Sequence, residues 1–391
     1  MTVANSLNKI IYVDNAATTK IDDDALALMF ALQKNFFANP SAAYKLSRPL
    51  KKILKESREK IASCINAEPQ EIIFTSGGTE SDNWAIKSAV LAHLSERPNI
   101  ITSAVEHKAI LNSCAAMENL GCSVTKLPID KIGVVNPADL QKRILPQTKI
   151  ISVMLANNEV GTIQPVKSLE EIAHATEIIF HTDAVQAVGH IPVDVKLLRI
   201  DILSASAHKF NGPKGIGFLY VRDGLKLLPH IDGGGQEFSR RAGTENVPAI
   251  AAMALAPEKN LLNMERNTVR VKTCADELLK YLRANEIDFI LNGGENRLPG
   301  HLSLSFKNCD GESLMHRLDL KNICVATGSA CNSQQTKISH VLQALKIPQD
   351  YIRGTIRITF GKENSHDDAK TIGNNLVKIL QPCQNQQFLI R

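Results

Sequence analysis

Residues 202–216 read Ile202-Leu203-Ser204-Ala205-Ser206-Ala207-His208-Lys209-Phe210-Asn211-Gly212-Pro213-Lys214-Gly215-Ile216. An apolar, β-branched start gives way to small polar residues and then to a Gly/Pro-rich turn, and a second apolar run follows at 216–220. That is the pattern of a strand that ends in a loop and is followed by another strand. Similar short runs stand upstream at 72–74, 100–102, 123–127, 150–154 and 178–180, with amphipathic stretches at 81–94, 108–120 and 169–176 among them. Alternation of this kind predicts an α/β fold, a large domain with a mostly parallel seven-stranded sheet covered by helices. Ligands on such sheets sit at the carboxyl ends of the strands. Downstream, a long helical pattern from about 249 to 282 precedes strands at 301–306 and 355–359 separated by short helices. This predicts a smaller α+β domain at the C-terminal end. The expected division gives 15–258 to the large domain and 1–14 with 259–391 to the small one.

The composition narrows the function classes. The chain has 391 residues, 44% hydrophobic and 22% charged, which is globular and long enough for more than one core. Its net charge of +5 is spread out. The densest basic cluster, Lys51, Lys52, Lys55, Arg58 and Lys60, also holds Glu56 and Glu59 and reads as a solvated helix face. No aromatic-basic interleaving points to nucleic acid. The eight cysteines form no CxxC pair, so neither a zinc knuckle nor a dithiol site is expected, and no metal. Reduced thiols fit a cytoplasmic protein, and no apolar run is long enough to predict a membrane span.

Five polar pieces remain. Ser76-Gly77-Gly78-Thr79-Glu80-Ser81 follows a strand and opens a helix. Free N–H groups there suit an anion such as a phosphate, although an ordinary capped strand–helix turn has the same look. His181-Thr182-Asp183-Ala184-Val185-Gln186 ends another strand. Asp183 suits a protonated ring nitrogen and Gln186 a ring oxygen; a plain helix cap is the alternative. Lys209, between an apolar strand and the Gly/Pro turn, is placed for partial desolvation, which lowers the pKa of an amine and makes it nucleophilic. Cys331 lies in the small, polar stretch Gly328-Ser329-Ala330-Cys331-Asn332-Ser333, the setting of an accessible and reactive thiol. Arg357, flanked by Ile356 and Ile358, calls for a carboxylate or phosphate partner, or else an internal salt bridge. An anion cup, an acid for a pyridinium, a nucleophilic lysine and an arginine for a carboxylate are the parts required by pyridoxal 5'-phosphate and an amino acid. The loop cysteine is a part that an ordinary aminotransferase does not need.

With these pieces in order, the sequence resembles the cysteine desulfurases, in the NifS/IscS-like branch of the class-V aminotransferase family of fold-type I pyridoxal-phosphate enzymes. The likeness runs nearly end to end, through Tyr12-Val13-Asp14-Asn15-Ala16-Ala17-Thr18-Thr19, Asn39-Pro40-Ser41, Glu106-His107, Asn157-Asn158-Glu159-Val160-Gly161-Thr162 and Arg240-Arg241-Ala242-Gly243-Thr244-Glu245-Asn246. Gly212-Pro213-Lys214-Gly215 resembles this branch rather than its SufS-like sister. The resemblance implies roles. Lys209 would bond the cofactor and move the substrate's Cα proton, and Asp183 and Gln186 would hold the ring. His107 would stack on the ring and shuttle protons, with a helix-start cap as its alternative. Asn158 would lie near the ring and the substrate carboxylate. Gly78, Thr79, Ser206 and His208 would hold the phosphate, joined by Thr244 from the partner of a homodimer. Arg357 would grip the carboxylate of L-cysteine, and Cys331 would take the sulfur as a persulfide. Alanine would be released, and the sulfur would pass to an acceptor protein or iron–sulfur scaffold.

Three places depart from the pattern. Tyr44 stands where the family often has His, and Ser239 where it has Gly. The stretch Asn332-Ser333-Gln334-Gln335, with Ile338-Ser339-His340 after it, replaces Thr-Ser-Gly-Ser and Pro-Ser-His. The rival readings are a related enzyme (an aminotransferase, kynureninase or selenocysteine lyase) and an inactive assembly partner. The presence of both Lys209 and Cys331 speaks against the last.

Overall fold

The computed structural model describes residues 9–330 and 337–385. A short strand, β1 (Ile11–Tyr12), precedes the seven strands of the larger sheet: β2 (Ile72–Thr75), β3 (Asn99–Ser103), β4 (Ser123–Leu127), β5 (Thr148–Ser152), β6 (Ile179–Asp183), β7 (Ile202–Ser206) and β8 (Gly217–Val221). Their order is β2-β8-β7-β6-β5-β3-β4. All pairings are parallel except those of β8, which runs antiparallel to both β2 and β7. The expected α/β architecture with a mostly parallel seven-stranded sheet is therefore the observed one.

The strands read as continuous apolar runs because both faces are covered. Every residue of β2, β3, β7 and β8 is buried. Successive side chains go to opposite faces, as strand geometry requires. Phe74, Ile151, Phe180, Leu203 and Phe218 join one core with Ile61, Leu169, Ile250 and Met253 from the helices Arg48–Cys64, Val166–Ala175 and Val247–Leu262. Ile73, Ile202 and Leu219 face the other way, against Trp84 of the helix Gly78–Leu91, and Ile100 and Ile150 pack there with Ile86 and Ile110. Lys126 keeps the edge strand β4 polar.

A second core surrounds a four-stranded antiparallel sheet. Its strands are β9 (Phe289–Leu291), β10 (His301–Phe306), β12 (Ala326–Thr327) and β15 (Thr355–Thr359), in the order β12-β15-β10-β9, while β11 (Ile323–Cys324) pairs in parallel with β1. A hairpin of β13 (Ser329–Ala330) and β14 (Lys337–Ile338) brackets residues 331–336. Leu278, Leu314 and Leu376, from the helices Met264–Ala284, Gly311–Asp319 and His366–Asn385, close this core over Phe306 and Ile356. Asp14 bridges to Thr359, which ties the start of the described chain to β15.

Two expectations change. The helical pattern expected from about 249 to 282 is two helices, broken at Asn263. The Asn263 amide turns back to donate to the Lys259 carbonyl, the kind of local bond that competes with helix continuation. Strand β6 extends beyond Phe180 through three polar residues, His181, Thr182 and Asp183, all buried. Among the described residues no helix is long and apolar enough to cross a membrane.

Candidate active site

The carboxyl ends of β6 and β7, the start of the helix after β2 and the loop after β5 converge on one cleft of about 320 Å³. It is lined by Gly78, Thr79, His107, Asn158, Asp183, Gln186, Ser206, His208, Lys209 and Arg357, together with Ala16, Ala17, Asp82, Met154, Ala156 and Val185. The first ten are residues that the sequence singles out.

One end is built for an anion. Gly77 precedes the helix Gly78–Leu91 at φ 149, with no side chain capping the helix N-terminus. Gly78 must lack a side chain, because a Cβ there would lie 2.6 Å from Val185 Cγ2. Glu80 accepts from the Ser76 N–H at 2.8 Å and is itself held by Arg241, so the carboxylate of the first turn is directed away from the cup. Ser206 ends β7, and His208 follows in a short 3-10 turn with its Nδ1 3.2 Å from Thr18 Oγ1. Burial, reinforced by Lys209 and Lys214, pushes the His208 pKa down to about 4, so it faces the cup as a neutral ring.

The floor is acidic. Asp183 is buried, and its Oδ1 accepts from the Val185 N–H at 2.9 Å. Burial raises its pKa, while His107 and Lys209 pull it back. Such a carboxyl is ready to receive a cation. His107 serves as the helix cap that its position suggests, its Nδ1 accepting from Ala109 N–H at 3.2 Å, and it also lines the cleft. The bond places the imidazole proton on Nε2, and burial lowers the ring's pKa. Gln186 donates from Nε2 to the Ala16 carbonyl.

Lys209 stands opposite. Its Nζ donates to the Ala16 carbonyl at 2.6 Å and the Ala17 carbonyl at 2.8 Å. Burial, with Arg357 adding to it, lowers its pKa to about 8, against the pull of Asp183 and Asp14. The His190 imidazole bonds to the Lys209 carbonyl at 2.7 Å and fixes the backbone from below. Arg357, from β15, bonds through Nη2 to Asp14 Oδ1 at 2.6 Å and through Nη1 to the Asn158 carbonyl at 2.8 Å. Of the two readings of this arginine, the internal salt bridge is present in the structure. Its buried Nε still lacks an acceptor.

Sequence reasoning missed a layer of polar residues behind the cleft. Asp82 is 1% exposed, and its Oδ1, 3.8 Å from His181 Nε2, has no hydrogen-bond partner. His181 is itself held between Ser152 Oγ at 2.8 Å and Ser204 Oγ at 3.0 Å. Glu106, also fully buried, accepts from Ser103 Oγ and from Met154 N–H. Burial raises the Asp82 pKa well above its ordinary value and that of Glu106 to about 8. The signal for Asp82 was present, since it shares a helix face with the buried Ala85, Ile86 and Ala89.

One expected residue is not in the cleft, and one is not described. Thr244 is exposed and does not line it. Cys331 lies outside the described residues. Those on either side of 331–336, Gly328, Ile338, Ser339 and His340, line an outer groove of about 430 Å³ that shares His107, Asn158 and Arg357 with the inner cleft.

The Aminotransferase class-V family profile matches residues 11–372. "Cysteine desulfurase IscS" of Methanosarcina thermophila is 43% identical over 382 residues, 98% of this chain and 95% of the relative. Among solved structures, a "NIFS-LIKE PROTEIN" superposes with a TM-score of 0.90 at 35% identity, over 95% of this chain and 100% of that one. A structure described as "SspA in complex with cysteine" superposes with a TM-score of 0.81 at 36% identity, over 90% of this chain and 99% of that one.

Proposed function

The chain belongs to the class-V aminotransferase family, and from that premise we propose that it is a cysteine desulfurase dependent on pyridoxal 5'-phosphate. The observation that carries the reading is the meeting of Lys209, Asp183 and Arg357 in one cleft beside an uncapped helix N-terminus. The donor set fits the cofactor. Gly78, Thr79, Ser206 and His208 suit its phosphate. Asp183 would hold its ring nitrogen and Gln186 its ring hydroxyl, and His107, which lines the same cleft, would contact the ring. The cofactor, when bound, supplies an electron sink for the bond changes at the substrate's Cα.

This chain's own residues do the rest. Lys209, its amine half deprotonated at pH 8, would hold the cofactor and would move the Cα proton. Arg357 holds the α-carboxylate through its free N–H groups, with Asn158 beside it. Cys331 attacks the substrate sulfur as a thiolate; the Cβ–S bond breaks with its electron pair left on the carbon side, and protonation there gives L-alanine beside a Cys331 persulfide. The sharing of His107, Asn158 and Arg357 between the inner cleft and the groove beside 331–336 supports this route. The persulfide sulfur then passes to an acceptor protein, for iron–sulfur cluster assembly or another sulfur-containing product. The working unit is a cytoplasmic homodimer in which a second copy supplies Thr244 to the phosphate cup. The exposure of Thr244 and of Phe30, Phe37 and Phe238 supports that arrangement.

Incubation of the purified holoenzyme with L-cysteine and a reductant, without any keto acid, should give L-alanine and sulfide in equal amounts. A requirement for a keto acid would make the protein a transaminase instead.

A further inference from the structure

A guanidinium has five N–H groups. In Arg357 one is taken by Asp14 at 2.6 Å, one by the Asn158 carbonyl at 2.8 Å, and the buried Nε–H has no acceptor. The ion pair is well shielded, with the two side chains only 13% and 19% exposed. Asp14 does not depend on the arginine for its place. It follows β1 and bridges to Thr359, and its carbonyl accepts from Tyr12 Oη at 2.9 Å and from Ala17 N–H at 3.0 Å. A fixed carboxylate thus stands on the one guanidinium that lines the cleft, and the pair together carries no net charge.

An amino acid entering this site brings its α-carboxylate to a guanidinium that offers hydrogen bonds but little uncompensated charge. One carboxylate can be held in that way, by the N–H groups of Nη1 and Nη2 that Asp14 and the Asn158 carbonyl leave over. A second negative group on the same molecule meets no free guanidinium and is repelled by Asp14. The other cation of the cleft, Lys209, is already bonded to the Ala16 and Ala17 carbonyls and is claimed by the chemistry.

We propose that Asp14 is a specificity-determining residue, which by standing on Arg357 makes the site accept amino acids with one carboxylate and turn away those with an anionic side chain. The proposal rests on the reading of Arg357 as the grip on the substrate carboxylate. It names the substrate class as neutral α-amino acids, of which cysteine with a protonated thiol is one.

The test uses the holoenzyme and two probes that differ by one carboxylate, L-alanine and L-aspartate. Binding is followed as the change in the absorption spectrum of the bound cofactor. The wild type should bind alanine and discriminate against aspartate. Asp14→Asn keeps the shape and removes the charge. It should tighten aspartate relative to alanine by about tenfold, the size expected for one unit charge roughly 10 Å away at an effective dielectric of about 20. Equal affinity of the wild type for the two probes would overturn the proposal without any variant. So would an unchanged aspartate-to-alanine ratio in Asp14→Asn with normal cofactor absorption. Arg357→Ala separates the two layers. If it leaves alanine binding intact, the carboxylate grip itself is misassigned. If alanine binding is lost while Asp14→Asn leaves the ratio unmoved, only the role of Asp14 fails.

Discussion

Replacing Lys209 by Met should make the cofactor-free protein more stable. The amine is pushed down from 10.5 to about 8, chiefly by burial. At neutral pH the folded protein must therefore protonate an amine that the unfolded chain protonates more readily. The folded pKa lies below the unfolded one, so the cost is full below pH 8 and disappears as pH rises through 10.5. With those two values the cost is about 3 kcal/mol at pH 7 and about 2 kcal/mol at pH 9. Methionine has similar length and no charge. Its loss of the bonds to the Ala16 and Ala17 carbonyls takes back part of the gain. Urea unfolding of the cofactor-free proteins should give Lys209→Met an advantage of about 2 kcal/mol or more at pH 7, smaller by about 1 kcal/mol at pH 9. A variant less stable than the wild type, or an advantage independent of pH, would refute the desolvated lysine. The same desolvation that destabilises the fold makes the amine a nucleophile.

Asp22 behaves in the opposite sense. Burial pushes its pKa up, but Lys259 and Lys362 outweigh it and bring the carboxyl down to about 2. Its contribution is present above pH 3.8 and is lost as pH falls towards 2. Asp22→Asn keeps the helix cap over Asp24 and Ala25, so it should cost about 2 kcal/mol at pH 7, with the difference fading between pH 4 and pH 2 in acid unfolding. Ser239 is exposed at φ 60 in a run of left-handed residues with Glu237 and Phe238. Ser239→Gly should raise stability by about 0.5–1 kcal/mol in urea. The run is anchored by Glu237, which takes two bonds from Arg58 and one from the Phe74 N–H. Glu237→Ala should cost about 3–5 kcal/mol by leaving a largely buried cation unpaired. Arg357→Ala should lower kcat/KM for L-cysteine about a hundredfold or more while the cofactor absorption persists, and normal kinetics would make the arginine structural.

Much of this was legible in the sequence, for physical reasons that can be named. The strands showed themselves because a doubly covered sheet needs continuous apolar runs, and Ile72, Ile100, Ile150 and Ile202 are all fully buried. The site showed itself where such a run stops at a polar residue. That rule also misplaced the end of β6. Of its last three residues Asp183 faces the cleft and His181 the polar layer behind it, while Thr182 donates to the Val153 carbonyl, so the strand outlasts its apolar signal. Glu106 stayed hidden because a buried acid and a solvated one look alike in sequence, desolvation being a property of the assembled fold, and Asp82 was marked only by the apolar helix face that it shares. The ion pair of Asp14 with Arg357 joins residues 343 positions apart. No local pattern contains it.

The central claim concerns where the sulfur goes. The holoenzyme should be exposed briefly to L-cysteine, then alkylated, digested and analysed by mass spectrometry, with Cys331→Ser treated in parallel. One added sulfur atom on the Cys331 peptide is the predicted result. In Cys331→Ser sulfide release should stop, while the first spectral change on adding cysteine, which depends on Lys209 and Asp183, survives. Sulfur on the Cys324 or Cys383 peptide instead, or full desulfurase activity in Cys331→Ser, would contradict the account.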